Sequence, residues 1–315
     1  VIPHTTPPIY PPLTPGRFAA AIQRASADLL DRPGAAPDVG KCRVGIIGLA
    51  DDTGVAMNHG RPGAREGPAA FRAALARYGV AARMDEPDHG AYPHVFDAGN
   101  IVPGKTLEET HERVSLAAER LVDLGLIPVG VGGGHDLTFA LVRGVIRARA
   151  RLGLPALCTG LYADPHLDVR PEAGSGMPFR ALVDQAGVRS LANVGAEPLV
   201  NSREHAKWFQ QQGGVLLASP KHSVDWLAAA RAPVFVSLDI DALDAAYAPG
   251  VSALNPCGMT PTEMAGIARA AGRSANVCCF DLMELNPLFD QDHRTARVAV
   301  YLFLSFLTGL AERIG

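Results

Sequence analysis

At 315 residues with 48% hydrophobic content, the chain is sized for one large α/β domain or two small ones around a sizeable core, the composition of a soluble globular protein. Lys+Arg 29 against Asp+Glu 32 gives a formal charge of -3, so no basic field argues for nucleic acid or an anionic membrane surface, and a small-molecule partner is expected. The 5 cysteines, Cys42, Cys158, Cys257, Cys278 and Cys279, are odd in number and sit in or beside apolar runs, which predicts reduced thiols and a cytoplasmic protein.

No run of 18 apolar residues and no signal-peptide pattern occurs, so neither membrane nor export is expected. Residues 1–16 carry Pro3, Pro7, Pro8, Pro11, Pro12 and Pro15 and read as an extended arm draped on the surface. Helical spacing follows from Phe18 to Leu30, then a strand from Arg43 to Leu49. The segment Gly60-Arg61-Pro62-Gly63-Ala64-Arg65-Glu66-Gly67-Pro68 lacks the order of a nucleotide loop and reads as a turn, with Pro68 suited to the first turn of a helix from Ala69 to Tyr78. Beyond it come a strand near Val95, a helix Leu107 to Leu124, a strand at Ile127 and a helix Leu137 to Arg151. Strands at Pro155 to Tyr162, Ser190 to Val194, Val215 to Ala218, Pro233 to Leu238 and Ala275 to Phe280 alternate with helices at Ser202 to Gln212, Val224 to Ala230 and Pro261 to Ala271. A long helix from His293 to Ile314 closes the chain. This alternation predicts an α/β fold: a single, doubly wound, mainly parallel sheet of about eight strands with helices on both faces, formed by residues 17–315 as one domain.

Three strands end in residues that bind metals. Leu161-Tyr162-Ala163 runs into Asp164-Pro165-His166-Leu167-Asp168, and side chains at every second position of an extended segment share one face. The strand at Ile127 ends in Gly132-Gly133-Gly134-His135-Asp136, and that at Pro233 in Asp239-Ile240-Asp241. In open parallel sheets the functional crevice lies at the carboxyl ends of the strands, so the three endings can converge. Two His and four Asp would not be packed there without compensation, and the four negatives of Asp164, Asp168, Asp239 and Asp241 would be balanced by two divalent cations. Carboxylate and imidazole ligands without thiolate favour Mn2+.

The motifs GGGHD, DPHLD and SLDIDALD resemble those of the ureohydrolase superfamily of arginase, agmatinase and formimidoylglutamase, and the similarity runs from Gly48 to the last helix. The resemblance implies a two-manganese hydrolase in which His135, Asp168 and the bridging Asp164 and Asp239 hold one ion, and His166, Asp241 and the same bridges the other. It also implies attack by an activated hydroxide on the carbon of an amidinium or guanidinium group. The segments Gly60–Pro68, Asp168-Val169-Arg170, Ser175–Arg180 and Glu284–Ala296 are most similar to the formimidoylglutamase branch. Where arginases carry Asn after the second motif this chain has Arg170, and Met177-Pro178-Phe179-Arg180 offers no proton-shuttling His. Asp241 is therefore the expected proton carrier, Glu284 the acid that grips the cationic head, and Arg170 and Arg180 the partners of the substrate's two carboxylates.

The leading expectation is hydrolysis of N-formimidoyl-L-glutamate to L-glutamate and formamide. A sister reaction on arginine, agmatine or a guanidino acid, and a non-catalytic binding or assembly relative, are the competing ones. Self-association into a homo-oligomer is compatible with the sequence. Asp244 is expected to cap a turn, and Arg294 to make a salt bridge or a substrate contact.

Overall fold

The computed structural model describes residues 2–26, 39–79 and 92–314. Its sheet has ten strands in the order β1-β4-β3-β5-β10-β9-β6-β7-β8, with β2 also against β4. The strands are β1 Thr5–Thr6, β2 Gln23–Arg24, β3 Val44–Leu49, β4 Val95–Ile101, β5 Ile127–Gly132, β6 Thr159–Ala163, β7 Ser190–Val194, β8 Val215–Leu217, β9 Val234–Asp239 and β10 Val277–Met283. All pairings are parallel except that of β1 with β4. The expected eight strands are present; the two additional ones are the two-residue strands near the N-terminus.

Helices cover both faces, as the alternation of strand and helix requires. They are α1 Thr53–Met57, α2 Gly67–Leu75, α3 Leu107–Asp123, α4 Asp136–Arg151, α5 Pro178–Ala186, α6 Arg203–Gln211, α7 Pro220–Ala229, α8 Pro261–Arg273 and α9 Arg294–Ile314. Within β3, Val44 and Ile46 join the core under α2, α8 and α9, while Ile47 and Leu49 join the core under α3, α4 and α5. Such near-continuous apolar strands are what burial on both faces demands. Helix α9 is long and apolar enough to cross a membrane, yet 61% of that stretch is buried inside the fold, where α9 packs on α8 and α2.

Two expectations near the N-terminus need correction. The spacing from Phe18 gives only a 3-10 turn, Phe18–Ala21, because Gln23 and Arg24 pair with Phe96 and Asp97 of β4 instead of continuing a helix; residues 27–30 lie outside the described residues. The proline-rich arm is more than a surface drape: Thr5 and Thr6 pair with Ile101 and Asn100, and Ile2 is buried. Tyr10 donates its hydroxyl to Asp97, which is held in turn by the buried guanidinium of Arg72 at 2.8 Å. Burial, with the Asp97 charge, raises the Tyr10 phenol well above its ordinary range.

Candidate metal centre and substrate cleft

Strands β5, β10, β9 and β6 are consecutive neighbours, so their carboxyl ends form one continuous edge. That edge carries His135 after β5, Glu284 after β10, Asp239 and Asp241 at the end of β9, and Asp164, His166 and Asp168 after β6. The turn that delivers His135 needs glycine: Gly132 has φ 118, and a Cβ on Gly133 would lie 2.1 Å from the Asp51 carbonyl oxygen. Asp241 sits in a 3-10 turn, Ile240–Ala242, whose backbone N–H donates to Asp239 Oδ1 at 2.8 Å. Asp168 and Glu284 both adopt positive φ, 49° and 65°, a strained conformation that marks sites where the surroundings dictate the backbone.

The six residues of the three motifs are brought together. His135 Nδ1 lies 3.1 Å from Asp164 Oδ2, 3.1 Å from Asp168 Oδ2 and 2.9 Å from Asp239 Oδ2. His166 Nδ1 lies 3.3 Å from Asp164 Oδ1 and 3.5 Å from Asp241 Oδ2. Two clusters result, His135, Asp164 and Asp239, and Asp164, His166 and Asp241, each with its ligand atoms within 4.8 Å of one another. Asp164 belongs to both.

The residues fit divalent cations on an observation of the structure itself. His135 Nδ1, Asp164 Oδ2 and Asp241 Oδ1 are buried and lack hydrogen-bond partners among the described residues, a cost that coordinated cations remove. Burial works against a charged His135, but Asp239, with Asp164 and Asp168, outweighs it and holds the ring's pKa well above the ordinary value. His166 is pushed up to about 9, because Asp164 and its neighbours override burial. Burial and then the charges of Asp239 and Asp164 raise Asp241 well above the carboxylate range. The two histidine shifts express the negative charge around them, and the same charges add to burial at Asp241.

Behind the cluster, His135 Nε2 lies 3.0 Å from Ser237 Oγ, which donates to Asp281 Oδ1 at 2.6 Å. With Nε2 as donor, Nδ1 is left as the acceptor facing the cluster. Asp281 is raised to about 6 by burial, against the lowering effect of His135 and the Ser237 hydroxyl.

A cleft of about 290 Å³ opens onto the cluster, lined among others by Asn58, His59, Arg170, Ser175, His205 and Glu284. Glu284 accepts the His135 backbone N–H on Oε1 at 2.8 Å and the Ser252 hydroxyl on Oε2. Burial, and then the Asp239 charge, pushes its pKa up to about 8. Arg170 reaches the cleft with Nη1 3.0 Å from Asn58 Oδ1.

Arg180 does not reach it. Pro178 starts α5, which puts Arg180 and Asp184 on one helical face; Nε donates to Asp184 Oδ2 at 3.3 Å and the guanidinium lies 5.1 Å from the Trp208 ring. Arg180 instead lines a neighbouring cavity of about 340 Å³ together with Arg143 and Arg170. The expectation that Arg180 meets a substrate carboxylate is corrected on that ground. Arg294 donates to the Ala246 carbonyl at 2.7 Å and pairs with no carboxylate among the described residues, whereas Asp244 accepts from the Ala246 N–H at 2.8 Å as a turn cap. Asn58 with His59, His205 and Ser252 reach the cleft from three separate parts of the chain, and no local sequence pattern marks them.

The sequence profile described as Arginase family matches residues 42–309. The chain is 33% identical to the formimidoylglutamase of Ralstonia nicotianae over 288 residues, 86% of each chain, and 36% identical to that of Halobacterium salinarum over 266 residues, 79% of this chain and 83% of the relative. The crystal structure of Trypanosoma cruzi formiminoglutamase with Mn2+ superposes with a TM-score of 0.80 at 30% identity, covering 89% of this chain and 97% of that one. The Streptomyces clavuligerus proclavaminate amidino hydrolase shares the fold, with a TM-score of 0.75 at 24% identity, over 88% and 95% of the two chains. Family profile, relatives and fold agree: this chain belongs to the arginase family.

Proposed function

We propose that this protein hydrolyses the amidine C–N bond of N-formimidoyl-L-glutamate, giving L-glutamate and formamide, with two Mn2+ ions per chain. One observation carries the reading: a single cleft joins the carboxylate and imidazole cluster to one buried acid, Glu284, and one guanidinium, Arg170. That pairing suits a substrate with a cationic amidinium at one end and carboxylates at the other. The formimidoylglutamases among its relatives support the same substrate.

In this reading Asp164 and Asp239 would serve both ions, with His135 and Asp168 as the further residues that would hold one and His166 and Asp241 as those that would hold the other. When bound, such an ion pair would lower the proton affinity of water near neutral pH. Glu284 holds the amidinium by a charge-assisted contact, its carboxylate already oriented by His135 and Ser252. Arg170 pairs with a carboxylate through its planar fork. Asp241, buried at the end of β9, is the group that would take the proton of the attacking water and return it to the glutamate nitrogen as that C–N bond breaks. The ring of His135 keeps its orientation through Ser237 and Asp281.

The test is a panel of formimidoylglutamate, arginine, agmatine and monocarboxylate guanidino acids offered to Mn2+-loaded protein, with formamide, urea and amine quantified. Preference for formimidoylglutamate with stoichiometric formamide is expected. Faster release of urea from a guanidino compound overturns the substrate assignment, and turnover of none of them overturns the enzymatic one.

A further inference from the structure

The segment Gly60–Pro68, read from sequence as a turn, borders the cleft at Gly60 and reaches it a second time, at one remove, through Arg61. Arg61 donates from Nη2 to the Val251 carbonyl at 2.5 Å and from Nε to the Ser252 carbonyl at 3.3 Å, with its guanidinium 4.1 Å from the centre of the Phe289 ring. Among the described residues no carboxylate pairs with it; two of its donors go to two consecutive carbonyls. The same stretch is pinned from other sides. Gly250 N–H donates to Thr295 Oγ1 at 2.9 Å, Asn286 N–H to the Gly250 carbonyl at 2.8 Å, and Asn286 Nδ2 to the Arg61 carbonyl at 2.8 Å. What this frame presents to the cleft is the Ser252 hydroxyl, which donates to Oε2 of Glu284.

We infer that Arg61 is a positioning residue for Glu284, acting through Ser252. A planar fork that chelates two successive carbonyls fixes the two peptide planes on either side of the Ser252 Cα, and together those planes set the direction of the Ser252 side chain. Glu284 needs such help because its backbone is held at φ 65, and one hydrogen bond, from His135, leaves the carboxylate free to turn about it. The inference rests on Glu284 gripping the substrate's amidinium. It explains why an arginine stands in a loop that holds no ligand of the cluster: the loop carries the guanidinium across to a segment roughly 190 residues further along the chain.

The test is a double-mutant cycle of Arg61→Met and Ser252→Ala in the Mn2+-loaded protein, with metal content, Tm and the calorimetric affinity for the amidinium cation acetamidine measured beside KM and kcat. Each single variant is expected to raise KM about tenfold and to weaken acetamidine binding in parallel, with metal content kept. The double variant should be no worse than the singles, because both act on one contact. Arg61→Lys retains the charge without the fork; it guards against a folding failure of the Met variant and should raise KM about threefold. Losses that multiply in the double variant, or a lowered Tm with KM and acetamidine affinity unchanged in the Lys variant, overturn the inference and leave Arg61 a loop staple. If another amidine or guanidine proves the better substrate, the cycle is run on that compound, so failure of the substrate assignment and failure of this inference are read separately.

Discussion

The backbone N–H of His135 donates to Oε1 of Glu284 across 2.8 Å, which locks the end of β5 to the end of β10 where the cluster gives way to the substrate cleft. An imidazole of the cluster and the buried acid of the cleft thereby share one junction. A glutamine can keep that junction, since its carbonyl oxygen still accepts from His135 and its amide can donate to Ser252 Oγ. Glu284→Gln should therefore retain metal and fold while kcat/KM drops roughly ten- to a hundredfold through loss of the charge-assisted contact. Steady-state kinetics beside metal analysis check this; an unchanged kcat/KM makes Glu284 a mere cap.

Ser237→Ala removes the partner of His135 Nε2 and the donor to buried Asp281. Partners of this kind typically change metal affinity by about 10- to 100-fold. Manganese titration of the variant should show one class of site weakened to that degree, and two sites of parental affinity would show that the relay does not matter.

The two arginines should now separate. Arg170→Lys keeps a charge at the cleft but loses the fork, so KM for formimidoylglutamate should rise severalfold with kcat little changed. Arg180→Ala breaks only an exposed ion pair with Asp184 and a contact with Trp208, and KM should stay within twofold of the parent. A KM rise confined to Arg180→Ala would reverse the assignment.

Away from the cleft, Thr260 and Glu263 form a capping box at the start of α8, and the Thr260 backbone N–H, then its hydroxyl, hold the Glu263 pKa below the ordinary carboxylate value. A depressed folded pKa gives stability that is present above the unfolded pKa and lost as pH falls through the folded one. Thermal melts of parent and Glu263→Gln should differ near pH 7 and converge in acid. A gap that widens on acidification contradicts the sign.

Much of the centre was legible because its residues fall where apolar strands stop: the alternation Asp164, His166, Asp168 and the pair Asp239, Asp241 are local patterns, and adjacent parallel strands end at one edge. The rest depends on partners distant in sequence. Helix α1 is only five residues long and gives no periodic signal; α5 does carry apolar residues at helical spacing, Phe179, Leu182, Val183 and Ala186, and missing it is what placed Arg180 in the cleft. The Phe18 segment has helical spacing, but pairing of Gln23 and Arg24 with β4 overrides that propensity. Arg61 illustrates the same limit: its carbonyl partners on Val251 and Ser252 leave no trace in the residues around it.

The central claim is a hydrolase that needs two ions, and the most direct test adds Mn2+ stepwise to chelator-stripped protein while formamide release from formimidoylglutamate is followed. Activity should be absent at the start, climb with added metal and reach a plateau at two equivalents per chain, with Asp239→Ala showing neither the plateau nor two bound ions. Full turnover in the stripped protein, or a plateau at one equivalent, would contradict the account.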